Sequence, residues 1–317
     1  VDIIQLIISS TILYAAPLIF TALGGVFSER SGVVNIGLEG LMVMGAFTGI
    51  VASLYFEGLG MGNASPWFGL IIAIIIGAVF SLFHAVASIS FRADQVVSGV
   101  ALNFLAVGLS VFLVRKIFDK GQTDVIKFSI SKIDLPILSD IPFIGPIFFT
   151  NIAITSYIAI ILAFVVWYVV YKTPFGLRLR SVGEHPMAAD TMGINVSKMR
   201  YIGVLLSGAF AGLGGAVYAL SSSLQFSGTT IAGQGFIALA AMIFGKWNPI
   251  GALGAALFFG LAQSLAVSGG TLPLLQDIPS VYLSIAPYVL TIVALTGFIG
   301  RADAPKAIGT PYIKGKR

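Results

Sequence analysis

The sequence predicts an all-α polytopic membrane protein of about nine spans (range about 8–10), one of them short and broken or re-entrant. Three observations carry that prediction. Hydrophobic residues make up 57% of the 317 and charged residues 10%, with a mean hydropathy of +0.99. A soluble domain of this size needs far more charge to cover its surface. The apolar residues fall in runs long enough to cross about 30 Å of hydrocarbon, for which a helix needs about 20 residues. Small residues recur every four positions, the packing signature of helices in a bilayer. No polar stretch is long enough to fold alone, so 1–317 reads as a single transmembrane domain.

The spans fall at 3–27, 34–56, 67–89, 95–117, 150–171, 201–221, 229–245, 249–268 and 282–299. The first follows Asp2 with no basic segment before it and exceeds a signal-peptide core, so it reads as a true span. The seventh is the exception. Gly235–Gly245 is eleven residues, about 16 Å of helix. It must borrow polar residues from Thr229 onward or break, and a broken backbone survives in a bilayer only where protein buries it or a cavity hydrates it.

Basic residues orient the chain. With the loop 172–200 in the cytosol, Arg30, Arg92, Lys246 and the tail Arg301–Arg317 also fall inside, 13 of the 18 Lys and Arg. The loop 118–149 is then extracytoplasmic, the C-terminus cytosolic and the N-terminus outside. The net charge of +5 is explained by this anchoring, since no contiguous basic face for nucleic acid is visible.

Within the sixth span, Gly203, Ser207, Ala211 and Gly215 share one face, and Gly208, Gly212 and Ala216 make a second stripe. Ala252, Ala256 and Gly260 make a third in the eighth span. Such stripes let helix backbones approach closely. Pro17, Pro249 and Pro287 permit bends.

The candidates for a translocation path are Asn35, Glu39 and Asn103 within spans, Gln225 and Phe226 in the outward linker, and Gln234 in the short seventh segment. Asn35 and Glu39 are four apart, hence on one helix face. A carboxylate in hydrocarbon marks either the path or gate, or a helix start fastened near the headgroups. The amides offer both donor and acceptor to a hydrophilic cargo, or to neighbouring helices. An aromatic beside amides can sandwich a planar ring.

The loop 172–200 holds five basic and two acidic residues around a helical stretch, Glu184–Met192, with Pro186 in its first turn and Gly193 as its stop. It reads as a compact knob framed by Arg178, Arg180, Lys198 and Arg200 that docks a soluble partner. Absences narrow the chemistry. There is no cysteine, no nucleotide-binding Gly-Lys-Ser/Thr loop and no acid–base pairing typical of an intramembrane enzyme. An ion-coupled secondary carrier would place paired ionisable groups at the midplane, and none is evident.

Two motifs carry a resemblance. The run FSERSGVVNIGLEG at 27–40 resembles the opening signature of the simple-sugar and nucleoside branch of bacterial ABC importer permeases, in the branched-chain amino acid and ribose permease superfamily. The run GLRLRSVGEHPMAADTMGI at 176–194 is similar to that family's coupling loop. Ala188, Ala189 and Gly193 keep the Ala-Ala…Gly spacing, while Met187 stands where a Glu would precede the alanines, with Glu184 the candidate substitute.

The resemblance implies a type II-like ABC importer permease bundle in the bacterial cytoplasmic membrane, not itself an enzyme. It places Arg178, Arg180, Glu184, His185, Pro186, Ala188, Ala189 and Gly193 at the ATPase coupling surface. It further implies a second, non-identical permease subunit, a cytosolic ABC ATPase that carries the ATP and Mg, and an extracytoplasmic substrate-binding lipoprotein of the basic-membrane-protein type. No cofactor is expected on this chain. The implied cargo is a nucleoside, with riboflavin or a simple sugar as the alternatives.

Overall fold

The computed structural model describes residues 2–136, 139, 141, 142, 145, 148–268, 282, 285, 289, 292 and 304–314. Its helices are α1 (Asp2–Arg30), α2 (Leu38–Gly58), α3 (Ser65–Ala85), α4 (Gln95–Phe118), α5 (Ile154–Lys172), α6 (Pro174–Glu184), α7 (Pro186–Thr191), α8 (Val196–Tyr218), α9 (Gln234–Phe244) and α10 (Pro249–Ser268). A π-helical turn, Val86–Ser90, prolongs α3, and another, Ala219–Ser223, prolongs α8. Among the described residues, seven helices are long and apolar enough to cross a membrane, and α9 is a shorter apolar helix beside them. The expected span at 282–299 lies largely outside the described residues.

Local chemistry sets the helix ends. Asp94, Thr173 and Asn195 each accept a hydrogen bond from the backbone N–H three residues on, capping α4, α6 and α8. Pro17 sits inside α1, where the Thr21 hydroxyl donates to the Pro17 carbonyl at 2.9 Å. Two short strands, Lys132–Ile133 (β1) and Ile152–Ala153 (β2), pair antiparallel and tie the 118–149 segment to the start of α5.

Helix α8 is the axis of the bundle, and its small-residue stripes explain why. A side chain at Gly215 would lie 1.9 Å from the Met42 carbonyl of α2, and one at Gly203 2.8 Å from the Phe27 carbonyl of α1. On the other stripe, Gly208 and Gly212 meet Gly77 and Ala73 of α3. Gly260 of α10 meets Thr11 and Ala15 of α1. Backbones pack on backbones here, so dispersion replaces the hydrophobic drive that a bilayer does not supply.

One end of the bundle gathers the basic residues. Arg30 reaches Lys246 and Trp247, the Gly183 carbonyl accepts from Ala307 N, and Arg200 donates to the Thr310 carbonyl. The end of α1, the α6–α7 stem, the α9–α10 turn and the 304–314 segment therefore share one face, as the charge distribution predicts. At the opposite end, Glu57 accepts from Lys127 N and Phe128 N, and residues 122–130 run beside 220–227.

Two expectations need correcting. A single helix over Glu184–Met192 is replaced by α6 and α7 with a break at His185 (φ −141°, ψ 79°). The residue before a proline is pushed out of the α region, so α7 opens at Pro186, which keeps its expected place in the first turn, and not at Glu184. Asn35 and Glu39 do not share a helix face, because α2 begins only at Leu38, after its N-cap Gly37.

Candidate functional site

Two regions stand out: a break in the helices inside the bundle and a stem at its basic end. The inner region forms where the N-termini of α2 and α9 converge. Glu39, 8% exposed, accepts from Gly233 N and Gly235 N at 2.6 Å each. Its carboxylate lies in the first turn of its own helix and caps another, so it answers the positive ends of two helix dipoles. This is a fastening role, but it acts across 194 residues of sequence and not on local backbone.

The non-helical link before α2 lies well along the bundle from its basic end. Gly40 N donates to Asn103 Oδ1 at 2.7 Å, and Asn103 is eight residues beyond the start of α4 at Gln95, about 12 Å along that helix. Asn103 Nδ2 donates in turn to the Ile36 carbonyl at 3.1 Å. Asn35 is fully buried, donating to Ser207 Oγ at 2.9 Å and accepting from Gly37 N. These groups brace the non-helical link before α2.

Residues 224–233 descend without helix from the end of α8 to the start of α9. Gln234 accepts from Ala232 N within that turn. Gln225 is half-buried, and Phe226, 1% exposed, packs edge-on against Phe47. Gly228, Thr229, Ala232 and Phe236 (47%) are exposed beside it. The structure thus brings Asn35, Glu39, Asn103 and Gln234 around the break, and turns the ring of Phe236, not Phe226, outward. Phe236 was missed because nothing in the chain's many phenylalanines marks it.

The basic stem presents a different surface. Leu177, Met187 and Met192 are exposed at 62%, 46% and 81%. Arg178, His185, Ala188, Gly193 and Lys198 are exposed with them, and Pro186 is half-buried. Gly193 takes φ +81°, the left-handed stop expected of it. Ala189 turns inward at 4% exposure. Arg180 also turns in, donating to the Val170 carbonyl and lying 4.9 Å over the Tyr171 ring. Arg200 is 1% exposed beneath residues 307–312. Of the four expected framing cations, Arg178 and Lys198 face outward. Tyr312 beside Asp190 has its phenol pKa raised, by desolvation first and by that carboxylate next. Among the described residues, no group of three or more His, Asp or Glu could hold a metal ion.

Residues 7–295 match the family model described as branched-chain amino acid transport system / permease component. The chain belongs to this family. The permease is 65% identical over its whole length to the guanosine ABC transporter permease protein NupQ of Bacillus subtilis, covering 99% of that protein. It is 53% identical to the nucleoside ABC transporter permease protein NupC of Lactococcus lactis, again over 100% of this chain and 99% of the relative. A second Bacillus subtilis protein, the guanosine ABC transporter permease protein NupP, is 23% identical over 92% of this chain and 81% of its own. The permease is a transporter component of the cytoplasmic membrane and is not itself catalytic.

The permease carries one cluster that its sequence did not announce. Glu29 and Arg30, at the end of α1, grip the α9–α10 turn. Glu29 accepts from Trp247 Nε1, while Arg30 donates through Nε to the Trp247 carbonyl at 3.0 Å and through a terminal nitrogen to the Lys246 carbonyl at 3.3 Å. Lys246 and Trp247 both hold positive φ, 56° and 52°, a backbone state costing about 1–3 kcal/mol for each non-glycine residue. The grip offsets that strain.

Proposed function

We propose that this permease is one half of the membrane pathway of an ATP-driven nucleoside importer. The observation that carries the pathway is the 224–233 break. Its lower part is tied to the buried Glu39 through Gly233 N, and non-helical backbone inside a bilayer cannot face lipid, so the exposed Ala232 beside that tie faces a hydrated path or a second subunit. The names of the two full-length relatives support a nucleoside as cargo. The site chemistry agrees with a neutral, ring-bearing polar solute. Phe236 offers an exposed aromatic face for a base, and among the described residues no cation beside the break replaces the water around a phosphate.

In this reading the cytosolic ATPase, holding ATP and Mg, docks on α7. An exposed apolar tip of Met187 and Met192 with a basic rim is the composition of a docking patch. A second, non-identical permease completes the path, an idea supported by two dissimilar guanosine permeases in one organism. An extracytoplasmic binding lipoprotein delivers the cargo and sets much of the selectivity. Proteoliposomes holding the full complex test the cargo. ATP-dependent uptake of radiolabelled guanosine, adenosine or uridine is expected. Uptake of glucose or riboflavin with no nucleoside uptake would reject the nucleoside while leaving the importer.

A further inference from the structure

We infer that Arg30, with Glu29 beneath it, is the positioning pair that carries movement of the coupling stem to the half-helix α9. The inference rests on the proposed docking of the ATPase at α7. Three joints make the path. The first is backbone on backbone. A side chain at Gly183, just before α7, would lie 2.2 Å from the Arg30 carbonyl, so the end of α6 sits directly on the end of α1. The Glu184 carboxylate also faces the Arg30 guanidinium at 4.0 Å.

The second joint is the guanidinium itself. It spans from the Tyr171 hydroxyl of α5, at 3.0 Å, to the Lys246 and Trp247 carbonyls. One planar group thus connects the stem side to the α9–α10 turn, using a fork of donors that a lysine cannot reproduce. The Glu29 bond to the Trp247 indole holds the same turn from below.

The third joint is α9. A side chain at Gly245 would lie 2.2 Å from Ala252 N, so the turn and the start of α10 move as one. The far end of α9 is held by Glu39 through Gly233 N and Gly235 N. A short helix tied at both ends tips when one tie moves. Displacing the Trp247 turn therefore rocks α9 about Glu39, which turns Ala232 and Phe236, the exposed residues on either side of that pivot, against their surroundings. The two left-handed residues, Lys246 and Trp247, give the turn a second backbone state to relax into once the grip loosens.

The test uses the full complex with this cysteine-free chain carrying Ala232→Cys as reporter. Thiol labelling of that cysteine is read with and without ATP, beside ATP hydrolysis and nucleoside uptake. With Arg30 intact, labelling changes on adding ATP. Arg30→Gln is expected to abolish that change and lower uptake at least tenfold, with ATP hydrolysis within about twofold and the Met187→Cys cross-link to the ATPase retained. Trp247→Phe, which keeps the ring and removes the indole donor, is expected to give the same pattern more weakly, and it remains readable if Arg30→Gln does not fold. Arg30→Lys should not restore uptake. An ATP-dependent labelling change of unaltered size in both variants overturns the inference, as does a loss of uptake matched by loss of the cross-link. Failure of the Met187→Cys cross-link with Arg30 present would instead refute the docking reading.

Discussion

Glu39 shows how far a single residue can be read. A carboxylate in an apolar span announces itself, and the choice between path and fastening follows from what it bonds. Its two acceptors satisfy N–H groups that are otherwise orphaned at a helix start. Glu39→Ala leaves both unsatisfied and is expected to destabilise the detergent-solubilised permease by about 2–4 kcal/mol, whereas Glu39→Gln keeps a carbonyl acceptor and loses about 1–2 kcal/mol. Thermal unfolding of the two variants checks the order. Equal melting temperatures for Glu39→Ala and the parent would remove the capping role. The partner of Glu39 was invisible in the sequence, because the bond joins positions 194 residues apart. Phe236 is the second residue-scale prediction. Phe236→Ala should lower nucleoside uptake several-fold with little change in stability, because about half of Phe236 is exposed while Phe226 is buried.

At the scale of elements, the small-residue stripes were legible as packing surfaces but not as pairings. Four-residue spacing says that something approaches closely. It does not say that Gly215 meets α2 while Gly212 meets α3. The consequence is testable by adding one methyl group. Gly215→Ala, 1.9 Å from the Met42 carbonyl, and Gly45→Ala, 2.1 Å from the Gly212 carbonyl, force helices apart and should sharply reduce folded permease in membranes. Gly254→Ala, with nothing within 4 Å, should be tolerated and gain about 0.5–1 kcal/mol of helix stability. Size-exclusion yield after solubilisation separates the two classes. The short seventh segment was legible from length alone, since eleven residues cannot span. The break at His185 was legible too, in the rule for residues before proline, yet the two-helix stem was still missed: a six-residue helix has no periodicity to read. The Lys246–Trp247 turn carried no signal at all, because neither residue type favours a left-handed backbone.

For the whole molecule, charge asymmetry was the strongest guide. The elements that carry most of the basic residues do meet at one face, through contacts such as Arg30 with Lys246 and Arg200 with Thr310. Cysteines at Met187 or Asp190 should therefore cross-link to the ATPase and resist labelling from outside intact cells. External labelling would invert the topology. In this reading the 224–244 segment lines the route of a nucleoside. The sharpest check is Phe236→Cys in this otherwise cysteine-free chain, reconstituted in the full complex and exposed to a membrane-impermeant thiol reagent during turnover, with labelling read on this chain. The reagent is expected to reach this cysteine, and guanosine, but not glucose, to slow the reaction. Reaction only with a lipid-soluble reagent, unaffected by any nucleoside, would contradict it.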